Sequence, residues 1–310
     1  MQDDALRERF RGCLVGLAVG DALGAAAEFM REDDVRATYG RLDNFVTRRW
    51  MWKAGQYTDD TAMALCIARS IVERKSVDLD DISDRFVKWM VTDGRGIGNQ
   101  TAAVLTGVRC GMEPFAASAQ VWEQSGRQAA GNGGVMRCAP VALFDWDKPE
   151  ALVSHSREVC RLTHADPRCE WSCVATNIAI AGLLIGARSV LDAVTSSIAG
   201  QCSQLEAALA DAQETPISNM RLDGWDQGYT ILTTQVAFAA LVSGRPFEQA
   251  LIEVVNKGGD ADTNGAVAGA LLGARDGYES ISARWRDGLL EHDAIVGCAD
   301  SLWAIAVHRC

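Results

Sequence analysis

Proline is scarce in this sequence, and no stretch sustains an alternation of Val, Ile or Thr with polar residues. Six prolines occur in 310 residues, while alanine-rich segments recur along the chain. Alanine favours helices and proline ends them, whereas an alternation of period two is the pattern of half-buried strands. The composition therefore predicts an all-α protein. Two of the predicted helices cover residues 230–242 and 246–256.

Basic charge and long apolar runs are also in short supply. Lys and Arg number 30 against 41 Asp and Glu, which gives a net charge of −11. A protein this acidic does not attract nucleic acid or an anionic membrane through a general basic field. Residues 1–10 lack the regions of a signal peptide, and no apolar run reaches the roughly 18 residues of a membrane span. We therefore expect a cytoplasmic protein with no membrane contact and no nucleic-acid partner.

Closely paired cysteines and linker segments are absent as well. Ten cysteines are scattered through the chain, mostly within helical apolar patterns, and no CxxC pair occurs. This usage is typical of reduced, buried cysteines in a cytosolic protein. No low-complexity segment divides the chain, and its length is ample for a large core. We predict one domain that covers residues 1–310.

What the sequence does contain is a glycine-bounded turn that carries two acids. Residues 257–265 read Lys-Gly-Gly-Asp-Ala-Asp-Thr-Asn-Gly, and a segment rich in Ala, Gly, Val and Leu follows at residues 266–272. That segment is apolar all round, as a buried helix is. Asp260 and Asp262 therefore stand beside a buried helix, where they repel each other unless a cation or a proton lies between them. The turn predicts a metal site.

A second acidic helix start lies at residues 55–61, which read Gly-Gln-Tyr-Thr-Asp-Asp-Thr. Thr58 suits the N-cap position, and Asp59 and Asp60 then fall in the first turn. Acidic first turns are also common in helices that bind nothing, because carboxylates favour the positive end of the helix dipole. This segment alone leaves both interpretations open.

Glycines at positions 12, 16, 20 and 24 recur every fourth residue of the first predicted helix. They leave one face nearly bare, which permits very close approach of another helix or of a ligand. Glu28 follows that helix. A carboxylate there is either a solvated residue at a helix end or part of a site.

Together these segments supply a set of oxygen donors without any histidine or cysteine. Such hard donors select Mg²⁺, Mn²⁺ or Ca²⁺, and this many carboxylates suits two ions better than one. Paired divalent ions support hydrolysis or phosphoryl transfer. The candidate metal-site residues are Glu28, Thr58, Asp59, Asp60, Asp260, Asp262 and Thr263.

Two further segments are candidates for substrate contact. The glycine-rich turn at residues 131–135 precedes a predicted helix, and exposed N–H groups in such a turn can cradle a phosphate. Glycine turns of this kind are also commonplace. His164 is one of four histidines. A lone histidine is more often a structural imidazole than a catalyst.

The acidic and glycine-rich segments, taken in order, resemble the ADP-ribosylglycohydrolase family. Within that family they are similar to the bacterial dinitrogenase reductase-activating glycohydrolases, which remove ADP-ribose from arginine. The sequences TDDT and GGDADTNG are specific signatures, and the matching segments span almost the whole chain. They are residues 20–29, 55–61, 131–137, 163–164 and 256–265.

The resemblance implies an all-α fold, a compact orthogonal helical bundle with a dinuclear Mg²⁺ or Mn²⁺ centre where helix ends converge. The seven candidate residues match the family's metal-site positions, and Glu28 or Asp60 would assist the attacking water. The substrate would be an ADP-ribosylated protein and the product ADP-ribose. His164 and Tyr229 would pack against ribose or base. The residues that would hold the diphosphate are Gly131, Asn132, Gly133, Gly134 and Val135.

Asn99 is a departure from the family pattern, because the nitrogenase-regulating members carry an aspartate there. An amide cannot act as a base, but Asn99 can still donate a hydrogen bond to substrate. We expect hydrolysis of ADP-ribosyl-arginine. The alternatives are another ADP-ribosyl linkage (to serine, in O-acetyl-ADP-ribose or on nucleic acid), hydrolysis of the diphosphate itself, and ADP-ribose binding without turnover.

Overall fold

Side-chain caps mark some of the helix starts in this protein. Asp78 caps one helix by accepting the N–H of Asp81, and Asp166 caps another by accepting the N–H of Arg168 after Pro167.

A computed structural model describes residues 2–48, 52–187 and 190–308. In those ranges the α-helices are α1 Gln2–Gly24, α2 Glu32–Tyr39, α3 Asp59–Arg74, α4 Leu79–Thr92, α5 Asn99–Arg109, α6 Pro114–Gln124, α7 Ala139–Asp145, α8 Pro149–Arg161, α9 Pro167–Leu184, α10 Val190–Ile198, α11 Ser203–Glu214, α12 Thr230–Val242, α13 Phe247–Val255, α14 Ala261–Asp276, α15 Ala283–Gly288 and α16 His292–Val307.

The all-α prediction is confirmed. The described residues form no β-strand, and their extended pairing is limited to isolated bridges such as Met30 with Gly259 and Gly131 with Tyr229. Helix α12 has the predicted bounds. Helix α13 is one residue shorter than predicted at each end, because Pro246 has an extended backbone and serves as the N-cap. No helix in the described ranges is long and apolar enough to cross a membrane.

The centre of the fold is an antiparallel contact between α1 and α14. Gly12, Gly16, Gly20 and Gly24 of α1 face Gly273, Gly269, Gly265 and Ala261 of α14 in that order. A Cβ atom built on any of these glycines would lie between 1.9 and 2.4 Å from a main-chain carbonyl oxygen of the facing helix. The two backbones are therefore in direct contact, which only glycine permits. Of the two interpretations of the glycine pattern, close helix packing is confirmed.

The other helices surround this pair. Helix α14 also packs on α9, α12 and α13, so every residue from Ala261 to Ala274 is buried. Helix α1 also contacts α3 and α16. Because α1 and α14 run in opposite directions, the end of α1 lies beside the start of α14. Both of those ends carry acids.

The cysteines of the described ranges form no disulfide bond. All nine in the described ranges are free thiols, and most are buried, although Cys110 is exposed. Cys310 lies outside the described residues. The thiols therefore contribute packing and no covalent cross-links to this part of the chain.

Replacing a glycine of the central contact should destabilise the protein. In Gly16→Ala the new Cβ would lie 2.3 Å from the carbonyl oxygen of Gly269. Since main chain cannot move aside cheaply, we expect a loss of roughly 1–3 kcal/mol or more in the free energy of unfolding. Gly297→Ala in α16 is the matched control, because its Cβ meets nothing within 4 Å. The control should be neutral or stabilising by up to about 1 kcal/mol. Chemical denaturation measures both, and equal stabilities would contradict the contact.

Candidate active site

Two helix starts and the turn after α1 bring the predicted acids together. Helix α3 begins at Asp59, α14 begins at Ala261, and the turn after α1 carries Glu28. We call Asp21, Glu28, Asp59, Asp60, Asp260 and Asp262 the acidic cluster. Five of the seven candidate metal-site residues line one cavity of about 190 Å³, namely Glu28, Asp59, Asp260, Asp262 and Thr263.

The other two candidates, Thr58 and Asp60, are buried and do not line that cavity. Asp60 nevertheless belongs to the cluster, because its pKa is raised first by burial and then by the charges of Asp21, Asp59 and Asp260. The Thr58 hydroxyl donates a hydrogen bond of 2.8 Å to Oδ2 of Asp60. Thr58 and Asp60 therefore form a layer behind the acids that face the cavity.

Burial and mutual repulsion raise the pKa values of the carboxyl groups in this cluster. Burial is the main cause that raises the pKa of Asp21 to about 6 and that of Glu28 to about 7. The pKa values of Asp59 and Asp262 lie well above the ordinary value, first through burial and then through neighbouring carboxylates. For Asp260, burial also raises the pKa. The cluster is therefore an electrostatically costly arrangement that any bound cation would relieve.

The donor set fits hard cations in type and in charge. Oδ1 of Asp60 is buried and accepts no hydrogen bond, which is a rare condition for a carboxylate oxygen. Among the described residues, Asp59, Asp60, Asp260 and Asp262 form no ion pair within 4 Å; Arg48 pairs with Glu28. With the side chains as they stand, no three acids, imidazoles or thiols in these ranges are arranged to hold a metal ion. The residues therefore match in chemistry, and two divalent ions stay a prediction.

Asp21 was not among the predicted site residues, yet it organises the start of α3. Its carboxylate accepts the N–H of Thr58 at 2.8 Å, the N–H of Thr61 at 3.0 Å and the hydroxyl of Thr61 at 2.6 Å. Thr58 holds the N-cap position, but its own side chain does not cap the helix, which corrects the expectation from sequence. Asp21 of α1 therefore caps α3 from outside. An acid within the otherwise apolar, glycine-rich part of α1 was the sequence signal for this role.

Arg48 is a second residue that the sequence did not indicate. Its Nη1 donates to Oε2 of Glu28 at 3.1 Å and to the carbonyl oxygen of Ala25 at 3.2 Å. Arg48 lowers the pKa of Glu28 but does not outweigh burial. It lies in an irregular loop, where no periodic pattern marks a functional residue. Its contacts fix the side chain of Glu28 at the cavity wall.

The glycine-rich turn forms the opposite wall of the cavity, but only in part. Gly131, Asn132 and Gly133 line the cavity, whereas Gly134 and Val135 are buried and do not. The Asn132 side chain donates to Oδ2 of Asp260 at 2.7 Å and to the Thr233 hydroxyl at 3.0 Å. Its main-chain N–H donates to the carbonyl oxygen of Gly228. Asn132 therefore holds the start of α14 instead of offering all its donors to a phosphate.

His164 and Tyr229 lie in different cavities. His164 lines the acidic cavity and is 2% exposed. Tyr229 lines a neighbouring, more open cavity of about 550 Å³, and Gly131 borders both. The guanidinium of Arg168 lies 5.7 Å from the ring centroid of Tyr229. The two cavities meet at the backbone bridge between Gly131 and Tyr229. A ligand that contacts both residues must therefore pass over Gly131.

Asn99 occupies the position that its sequence context suggested. It is exposed, begins α5 and lines the acidic cavity together with Gln100. The preceding loop closes over the acids, because a Cβ on Gly96 would lie 2.5 Å from Oδ1 of Asp59. Gly96 also has a positive φ of 83°, which favours glycine. Asn99 thus stands at the cavity rim, where its amide can reach a ligand.

Comparison with known proteins identifies the relatives of this chain. The model of the ADP-ribosylglycohydrolase family matches residues 2–309. The chain belongs to the ADP-ribosylglycohydrolase family. As a member it is a hydrolase of ADP-ribosyl linkages, and the resemblance drawn from TDDT and GGDADTNG is confirmed.

Individual family members match over nearly their whole length. The chain is 32% identical to the ADP-ribosyl-[dinitrogen reductase] glycohydrolase of Rhodospirillum rubrum over 286 residues, which is 92% of this chain and 91% of that protein. It is 28% identical to the ADP-ribosylarginine hydrolase Tri1 of Serratia proteamaculans, over 96% of this chain and 80% of that one. A solved ADP-ribosylglycohydrolase-related protein complex superposes with a TM-score of 0.83 at 29% identity, over 98% and 99% of the two chains.

A larger cleft of about 640 Å³ between α3 and α4 does not compete as the site of this glycohydrolase. Two of its acids are ion-paired, because Arg85 pairs with Asp81 at 2.6 Å and with Glu73 at 2.5 Å. Hydrogen bonds from Arg85 are the largest influence on Asp81, and the pKa of that carboxyl lies below its usual range. The smaller cavity, by contrast, is lined by the buried carboxylates Asp59, Asp260 and Asp262, which form no ion pair within 4 Å in the described ranges.

The acidic cluster should make the chelator-treated glycohydrolase less stable at high pH. The folded-state pKa values of Asp21 and Glu28, about 6 and 7, exceed the ordinary values near 4. The folded state therefore holds more protons than the unfolded state, and stability falls as the pH rises from about 4 to about 7. We expect the Tm in EDTA to drop by several degrees between pH 5 and pH 8, at about 1.4 kcal/mol per unit of pKa shift.

Differential scanning calorimetry measures this change. Surface ion pairs do not obscure it, because their acids, such as Asp300 with a pKa of about 2, stay ionised at pH 5. A Tm that rises from pH 5 to pH 8 in EDTA would contradict the buried cluster.

Asp21→Asn should loosen the start of α3. An amide presents one acceptor oxygen, and its NH₂ group cannot accept the N–H of Thr58 or Thr61. We expect a loss of roughly 1–3 kcal/mol in stability, since a buried N–H is left without a partner. Hydrogen exchange of the Thr58 and Thr61 amides measures the local effect. Unchanged protection at both amides would show that Asp21 does not cap α3.

Proposed function

We propose that this glycohydrolase removes ADP-ribose from arginine side chains of proteins, with two divalent cations, Mg²⁺ or Mn²⁺. The observation that carries the proposal is a set of carboxylates on the wall of one cavity, of which only Glu28 has an ion-pair partner within 4 Å among the described residues. Two relatives whose names specify dinitrogen reductase and ADP-ribosylarginine support the choice of linkage. The protein substrate and the ADP-ribose product follow from that choice.

The predicted cations would be held by Glu28, Thr58, Asp59, Asp60, Asp260, Asp262 and Thr263. When bound, such ions orient the ribose hydroxyls and act as Lewis acids. Thr58 and Asp60 lie behind the cavity, and Asp60 keeps Oδ1 free of hydrogen bonds. Asp60 therefore suits the role of an ion ligand better than that of a base.

Glu28 suits the role of the base that assists the attacking water. It lines the cavity, and Arg48 fixes its orientation. Burial raises its pKa to about 7 when no cation is present, and bound cations would favour the ionised carboxylate that a general base needs. The anomeric carbon becomes oxocarbenium-like in the transition state, and the negative cluster stabilises that positive charge.

The reaction products test the proposal. We expect ADP-ribosyl-arginine, incubated with the protein and Mn²⁺ or Mg²⁺, to yield intact ADP-ribose and arginine by mass spectrometry. AMP and phosphoribosyl-arginine would indicate hydrolysis of the diphosphate. Turnover confined to serine-linked, O-acetyl or nucleic-acid-linked ADP-ribose would replace arginine as the substrate. Binding of ADP-ribose with no turnover on any of these would mean that the chain is a binding protein.

Asp60→Asn and Asp262→Asn should each lower turnover by about 100-fold or more, because each removes a charge that acts in the transition state. The same changes should raise the Tm in EDTA, since one repelling carboxylate is lost. Asp80→Asn is the matched control: Asp80 also lies in an acidic first helical turn, in α4, but is exposed. Its turnover should equal that of the unmodified protein. Calorimetric titration with Mn²⁺ should show binding in the control and weaker binding in both site variants.

A further inference from the structure

Arg137 is a buried arginine without a carboxylate partner in the described part of the chain. It is fully buried, and its guanidinium lies 4.6 Å from the ring centroid of Phe86. Nη1 donates to the sulfur of Met63, Nη2 donates to the hydroxyl oxygen of Thr163, and Nε has no partner. Burying such a charge is costly, so its one strong polar contact indicates a role.

That contact decides which way the Thr163 hydroxyl points. Thr163 is fully buried, and its Oγ1 has two neighbours, Nη2 of Arg137 and Nδ1 of His164 at 2.8 Å. Arginine donates hydrogen bonds and never accepts them, so Oγ1 accepts from Nη2. The single hydroxyl hydrogen is then free to go to Nδ1 of His164. If Nδ1 carried a hydrogen itself, the buried hydroxyl would have no acceptor, a condition that folded proteins rarely tolerate.

We propose that Arg137 is a positioning residue that, through Thr163, fixes His164 as the neutral tautomer with its hydrogen on Nε2. The imidazole then presents a donor, and no acceptor, to the acidic cavity. A phosphate oxygen of ADP-ribose is the acceptor that this edge fits, because it has no hydrogen of its own to donate. The identity of that ligand rests on the proposed function, whereas the tautomer does not.

The position of Nε2 supports this assignment. A Cβ on Gly133 would lie 3.0 Å from Nε2, and a Cβ on Gly131 would lie 3.5 Å from it. Both glycines line the cavity, so the absence of side chains opens the ring edge to a ligand. Burial, followed by the charge of Arg137, lowers the pKa of His164 to about 3, which keeps the ring neutral. His164 thus contributes a fixed donor instead of a proton for transfer.

Nitrogen NMR of the free protein, with labelled histidine, tests the tautomer without any ligand. We expect the His164 signals, identified by their loss in His164→Asn, to show a hydrogen on Nε2 and an unprotonated Nδ1 at neutral pH. A hydrogen on Nδ1, or on both nitrogens, would overturn the proposal.

Three variants test the positioning role. Arg137→Met removes the donor that orients Thr163, so both tautomers of His164 should appear; an unchanged pure Nε2 tautomer would overturn the role of Arg137. Thr163→Val should shift the Nδ1 signal to that of a free acceptor, while Thr163→Ser should match the unmodified protein. If Arg137→Met does not fold, the two Thr163 variants decide the question. Identical Nδ1 signals in Thr163→Val and Thr163→Ser would contradict the hydrogen bond from the Thr163 hydroxyl to His164.

Calorimetric titration with ADP-ribose links the tautomer to binding. We expect His164→Asn and Thr163→Val to bind about 10-fold more weakly or worse, since a donor to a charged oxygen is lost or misplaced. Thr163→Ser should bind normally. Equal affinity in all variants would remove the donor role. If the unmodified protein does not bind ADP-ribose, the proposed function fails, and the tautomer is still measured by NMR.

Discussion

The direct contact of two backbones, between α1 and α14, is the constraint on which the rest of the structure depends. Carbonyl oxygens of one helix occupy the space where side chains of the other would begin. Because the helices are antiparallel, the same contact places the end of α1 beside the start of α14. The acids at Asp21 and Glu28 are thereby brought to those at Asp260 and Asp262. Packing and active-site geometry have one cause here.

The acidic cluster lowers the stability of the folded state and favours the binding of positive charge. Like charges that are buried together raise each other's pKa and weaken the folded state that holds them. A cation, or the positive charge that develops on a ribose during cleavage, lowers that cost. Binding of the proposed cations would therefore offset the free energy that the folded state loses by keeping the carboxylates together. The surrounding helices, with α14 buried along most of its length, hold the arrangement in place.

Much of the fold and most of the cavity could be predicted from sequence, for local reasons. Helix periodicity and the two acidic helix starts are encoded within a few residues, and the family resemblance rests on those same segments, within the residues 2–309 that the family model matches. Asp21 and Arg48 escaped prediction because their partners are distant in the chain, 37 residues for Asp21 and Thr58 and 20 for Arg48 and Glu28. Thr58 satisfied the local rule for an N-cap, but a carboxylate from another helix took that role.

The four-residue spacing of glycines on both central helices also restricts how the chain can change length. One residue inserted inside α1 between Gly12 and Gly24 would rotate everything after it by about 100° and advance it by about 1.5 Å. Side chains would then meet the backbone of α14, and Asp21 would turn away from α3. An insertion of that kind therefore cannot be absorbed locally. Changes in length are therefore expected in the connecting loops, because the central pair of helices fixes the spacing of the acidic cluster.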